Sequence, residues 1–123
     1  MVYKDFNIPN QRAFLGQLND SSASYHQGKL LVKDNGRIKL AQTSFVLGET
    51  ISIGRNEHNE IIIDDDFVSY EHATINRNKQ GYWLTDLNST NKTYLNNEPL
   101  LESILLKNGD IIKIGAVTFS FEG

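Results

Sequence analysis

"HATINRNKQGYWLTDL", residues 72–87, reads as strand, turn, strand. "HATINR" and "YWLTDL" are short β-type runs, and "NKQG" between them supplies turn residues. Side chains alternate faces along a strand, so Tyr82 and Trp83 must point opposite ways. Of the two, Trp83 is expected in the core.

The same grammar extends in both directions. Upstream, "KLLVK" leads into the turn "DNG", followed by "RIKLA", "SFVLG", "TISIG" and "EIIID". Downstream come "KTYLN", the turn "NNEP", "SILL", the turn "KNGD", "IIKIG" and "VTFSFE". Ile51 and Ile53 share one face, as do Val117, Phe119 and Phe121. Short strands at regular spacing predict an all-β sandwich or barrel. Pro9 and Pro99 fall outside the central strand patterns. No long amphipathic helix is present to cover a parallel sheet.

The 123 residues suit one domain with its own core. Residues 28–123 carry the β pattern. Residues 1–27 are polar and irregular, and are expected to form a flexible tail or a short helix. Asn10 is positioned to cap such a helix, with Phe14 and Leu18 on one face and Gly16 weakening it. The net charge of −3 and a pI near 5.5 argue against a broad nucleic-acid-binding face. With no cysteine, neither a disulfide framework nor a thiolate metal site is available. No apolar run is long enough to span a bilayer, and the N-terminus lacks signal-peptide character. The expectation is a soluble, cytoplasmic monomer without cofactor, metal, nucleic acid or membrane insertion.

In a sandwich, function falls to the loops. Three are rich in groups that a core does not need: "GRNEHNE" at 54–60, "DDDFVSYEH" at 64–72 and "DLNSTNKT" at 86–93. One arginine, one lysine and many hydroxyls and amides form a donor set that suits phosphate oxygens.

At this point the chain resembles a forkhead-associated (FHA) domain, from about Lys29 to Glu122. The stretches "IGRNEHNEIIIDDDFVSYEHATI", "YWLTDLNSTNKTYLNNEPL" and "NGDIIKIGAVTFSF" carry the resemblance. They hold, in order, Gly54-Arg55, Ser69-x-x-His72, Ser89-Thr90-Asn91-Lys92-Thr93 and an Asn96-Asn97 turn. The resemblance implies a twisted β-sandwich of about eleven mostly antiparallel strands. It also implies a module that binds phosphothreonine peptides in signalling. By carry-over, Arg55 would pair with the phosphate, and Ser69 and Thr90 would donate to it. Asn91 would orient the peptide backbone. Tyr70 stands where relatives often carry a polar or basic ligand contact. Gly54 and His72 would support the site. Lys92 replaces the usual glycine, where it adds a cation and raises the question of a positive φ.

Other readings of these residues exist. Arg55 alone suits a surface ion pair with Glu57 or Glu60, and Ser69 and Thr90 suit turn capping. Ser69 with His72 evokes a nucleophile and base, but no G-x-S-x-G elbow occurs, so an enzyme is not expected. The "DDD" of residues 64–66 lacks EF-hand spacing and reads as a solvated acidic loop. Tyr70 and Lys92 keep open a phosphate-independent scaffold on the same fold. Carbohydrate binding would need exposed aromatics in a cleft.

Overall fold

The computed structural model describes residues 27–123. The short helix considered around Asn10, Phe14 and Leu18 lies outside them. Eleven strands follow in order: β1 (Lys29–Asp34), β2 (Ser44–Val46), β3 (Thr50–Gly54), β4 (Ile61–Ile62), β5 (Ala73–Asn78), β6 (Gly81–Asp86), β7 (Thr93–Leu95), β8 (Glu98–Pro99), β9 (Ile104–Leu105), β10 (Ile111–Ile114) and β11 (Val117–Glu122). They form a six-stranded sheet, β2-β1-β11-β10-β7-β8, and a five-stranded sheet, β4-β3-β5-β6-β9. Every pairing is antiparallel except β3 with β4. The described residues contain no helix, and none of their segments is a helix long and apolar enough to cross a membrane.

The core is the set of alternate positions that the sequence pattern marks. Ile51, Ile53, Ile75, Leu84, Ile112, Ile114, Val117, Phe119 and Phe121 are all buried between the sheets. Turn chemistry closes the strands. In the β5–β6 hairpin, Asn78 Oδ1 accepts the Gln80 N–H at 2.8 Å, and Gly81 takes φ 138°. Asn96 and Asn97, at φ 49° and 73°, make the β7–β8 hairpin with asparagine where glycine is common.

Three expectations need correction. First, Tyr82 occupies the core and Trp83 does not. Tyr82 shares its face with buried Leu84, and its hydroxyl accepts the Gly28 N–H at 2.8 Å. A buried tyrosine with its polar tip satisfied costs little. Trp83 is half-buried on the opposite face and donates from Nε1 to Asn78 Oδ1 at 3.1 Å. Second, "RIKLA" is not a strand. Consecutive positive φ at Gly36 (57°) and Arg37 (68°) turn the chain, and β2 takes the free edge of β1 instead. Ile38 and Leu40 still pack against the core. Third, the "NNEP" turn ends early, and Glu98–Pro99 pairs with β7. Pro99 sits there on an edge strand, where its missing N–H does no harm.

Candidate functional site

Three segments meet at one end of the sandwich: residues 55–60 between β3 and β4, 63–72 between β4 and β5, and 87–92 between β6 and β7. Gly54 closes β3 at a point of close approach. A Cβ there would lie 2.2 Å from Tyr70 O and 2.8 Å from Asn59 Nδ2. Absence of a side chain therefore lets the first two segments touch. Arg55 N–H donates to Ser69 O at 3.0 Å, and Asn56 N–H donates to Tyr70 O at 3.2 Å. Asn59 Nδ2 bridges Asn56 O and Tyr70 O, each at 2.7 Å.

The Arg55 side chain is held on two sides. Its Nε donates to Val68 O at 3.0 Å, and its Cζ lies 4.5 Å from the centroid of the Tyr70 ring. Such cation–π contact contributes about 0.5–1 kcal/mol at an exposed site. Among the described residues no carboxylate lies within ion-pair reach of Arg55. Glu60 is engaged elsewhere: hydrogen bonds from the Ser52 hydroxyl and backbone hold its carboxyl below the usual range. The terminal nitrogens of Arg55 thus keep donors to spare, beside Ser69.

His72 is fully buried between the second and third segments. Its Nδ1 accepts the Ser69 N–H at 3.1 Å, so Nε2 carries the proton and donates to Lys92 O at 2.9 Å. Thr90 N–H donates to Ser69 Oγ at 3.2 Å, which leaves the Ser69 hydroxyl proton free. Asn91 Nδ2 donates to Phe67 O at 3.0 Å. Lys92 adopts φ 70° and is exposed, so the site is built with a lysine in the left-handed region. That geometry costs roughly 1 kcal/mol relative to glycine.

Several bracing residues were not singled out from sequence. Asp86 accepts from Thr93 Oγ1 at 2.7 Å, from Ser89 N–H at 3.0 Å and from the Ser89 hydroxyl. Partial burial pushes the Asp86 carboxyl up, but the bonds from Ser89 and Thr93, with a smaller contribution from His72, outweigh it and hold it below the usual range. The spacing Asp86-x-x-Ser89 was the available signal, since a carboxylate three residues ahead of a serine often closes a turn. Asp65 corrects the reading of "DDD" as a solvated loop. It is buried, accepts Phe67 N–H at 2.9 Å and reaches across to Ala116 N–H at 2.9 Å. Only Asp64 and Asp66 are solvated.

Ser69, His72 and Asp86 lie in line, yet the contacts are not those of a catalytic triad. The Ser69 backbone, not its hydroxyl, meets His72, whose ring has no exposed edge. The Asp86 carboxylate lies 4.0 Å from the same His72 nitrogen that donates to Lys92 O. The arrangement leaves donors at the surface and holds them still.

The FHA domain profile matches residues 51–115, which span the whole of this loop end. The chain belongs to the FHA domain family. It is 42% identical over 73 residues to an oxoglutarate dehydrogenase inhibitor of Corynebacterium jeikeium, covering 59% of this chain and 50% of that protein. The chain spans about half the length of the first curated relatives it matches. An FHA structure solved in a study of phosphothreonine-dependent FHA interactions superposes with a TM-score of 0.69 at 29% identity, covering 80% of this chain and 97% of that one. Mycobacterium tuberculosis EmbR, solved with a low-affinity phosphopeptide, superposes with a TM-score of 0.72 at 27% identity, covering 82% of this FHA chain and 25% of EmbR.

Proposed function

We propose that this FHA domain is a phosphothreonine-peptide recognition module for phosphorylation-dependent protein–protein interaction in signalling. One observation carries the reading: Arg55, Ser69 and Thr90 are joined by direct hydrogen bonds at the loop end, with donors of Arg55 and Ser69 left over. Solved relatives that bind phosphothreonine or phosphopeptide share the fold at 27–29% identity, which supports the same ligand class here.

In this reading the Arg55 guanidinium supplies the charge for the phosphate. The Ser69 hydroxyl and Thr90 supply neutral donors. Asn91 holds the peptide backbone, and Lys92 adds a cation at the rim. Tyr70 acts on the ligand side through its hydroxyl and on Arg55 through its ring. Gly54 and His72 keep the segments in register. The domain binds and does not catalyse, and it works in the cytoplasm, where kinases supply the modified threonine. The absence of cysteine agrees with a reducing compartment.

A hydrogen bond to a charged group contributes about 1.5–3 kcal/mol net, and about 1.4 kcal/mol is one decade of affinity. Titration calorimetry with a threonine peptide, phosphorylated and not, should therefore show a preference for the phosphorylated form. Arg55→Ala should weaken that binding at least about tenfold. Equal affinity for the two peptides would instead favour a phosphate-independent scaffold.

A further inference from the structure

β8 ends the six-stranded sheet and β9 ends the five-stranded one, and residues 100–103 cross from the first to the second. This connection is tied at both ends. Leu100 N–H donates to Thr93 O at 2.8 Å, and the Ser103 and Thr85 hydroxyls share a hydrogen bond of 2.6 Å. Between the two ties Leu101 is 88% exposed, more than any other large apolar side chain among the described residues. An aliphatic side chain held outward on a segment pinned at both ends is not accounted for by packing within this chain.

Leu101 lines an open groove of about 520 Å³. Leu95, Pro99, Leu100 and Ile104 supply the rest of its apolar surface. A solitary exposed leucine is ordinary, but apolar side chains gathered in one groove with a charged rim mark a surface that another molecule covers.

The rim decides which molecule. The charged side chains of the groove are Glu98 and Glu102, and no lysine, arginine or histidine lines it. Among the described residues neither carboxylate has an ion-pair partner. A second copy of this chain would bring further carboxylates to the groove, against a net charge of −3 on each molecule. An anionic lipid surface meets the same repulsion. A protein segment with lysine or arginine beside apolar residues matches both features. Its apolar side chains cover Leu101 and Ile104, and its cations pair with the rim.

We propose that the groove between β8 and β9 docks a basic, apolar segment of a partner protein, independently of phosphorylation. It contains none of Arg55, Ser69, Thr90 and Asn91, so it is a separate contact of the domain. A partner that also engages the loop end gains affinity from holding both surfaces at once.

The probes are short peptides free of serine, threonine and tyrosine. One is made of leucine, lysine and alanine, one carries glutamate in place of each lysine, and one carries glutamine in place of each leucine. Wild type should bind the leucine–lysine peptide at least about tenfold more tightly than either control. Amide resonances of Leu95, Leu101 and Ile104 should shift, and those of Arg55 and Ser69 should not. Leu101→Asp should weaken this binding at least about tenfold, and Glu98→Lys with Glu102→Lys should turn the preference to the glutamate peptide. Both variants should keep phosphothreonine-peptide affinity within about twofold of wild type, since the substitutions lie outside the loop site. Equal affinity for the lysine and glutamate peptides, no binding of the leucine–lysine peptide, or shifts centred on the loops that carry Arg55 and Ser69 would overturn the proposal. Self-association in sedimentation, or capture on phosphatidylserine vesicles, that Leu101→Asp abolishes would assign the groove to a second copy or to a membrane and overturn it likewise.

Discussion

The two ends of the sandwich are held together differently. At the far end, the β5–β6 hairpin closes on itself: Asn78 accepts from Gln80, two residues on. The turn before β10 also carries a local bond, Asp110 Oδ2 accepting the Lys107 N–H at 2.8 Å, while Asp110 Oδ1 ties it to the neighbouring β7–β8 turn by accepting from Asn96 Nδ2 at 3.0 Å. At the loop end the bonds are long-range in sequence. His72 reaches Lys92, Ser69 meets Thr90, Asn91 meets Phe67, and Asp65 meets Ala116. A turn needs only its own residues to be correct. A site assembled from three segments needs each segment to fix the others, because ordering loops costs conformational entropy that no single loop recovers. The difference separates an end whose bonds close strands and join neighbouring turns from an end whose bonds lock three segments around exposed donors.

Breaking the central brace should have the largest effect. His72→Ala removes a fully buried ring and strands the Ser69 N–H and the Lys92 carbonyl. A loss of about 2–4 kcal/mol is expected in urea unfolding, together with loss of phosphopeptide binding. Gly54→Ala comes next. The added methyl collides with the Tyr70 carbonyl, which must move, at about 1–3 kcal/mol. Its signature is weakened phosphopeptide affinity in protein that still melts cooperatively.

Acid should sharpen the contrast. The Asp86 carboxyl is lowered in the folded state. Its contribution is therefore present above the unfolded aspartate value and lost as pH falls through the lower folded one. Urea midpoints taken from neutral pH down to about pH 2 should fall in wild type, and less steeply in Asp86→Asn measured against its own neutral value. Asn78→Ala, at the far end, should cost about 0.5–1.5 kcal/mol and leave phosphopeptide affinity unchanged. Smallest of all, Lys92→Gly should relieve the left-handed backbone by up to about 1 kcal/mol, seen as a modest rise in melting temperature.

The same difference explains what the sequence could disclose. Alternation placed Ile51, Ile53, Val117, Phe119 and Phe121 in the core, because strand period is a local property. Asparagine at 96 and 97 signalled a hairpin for the same reason. The Tyr82–Trp83 choice was not local. Size favours tryptophan in the core, but the partner that decides is the Gly28 N–H, 54 residues away. Asp65 looked solvated within an acidic run, because its partner on Ala116 lies 51 residues on. That the segments carrying Arg55, Ser69, Thr90 and Asn91 meet at one end of the sandwich was legible through family resemblance. The clasp of Tyr70 over Arg55 emerges only when the strands are folded together.

The most direct test is an amide-resolved NMR titration with a phosphothreonine peptide. Resonances of Arg55, Ser69 and Thr90 should move together and saturate, while Gln80 in the far hairpin stays in place. Unmoved loop resonances, or shifts centred on the far hairpin, would contradict the assignment of phosphothreonine recognition to the cross-braced end.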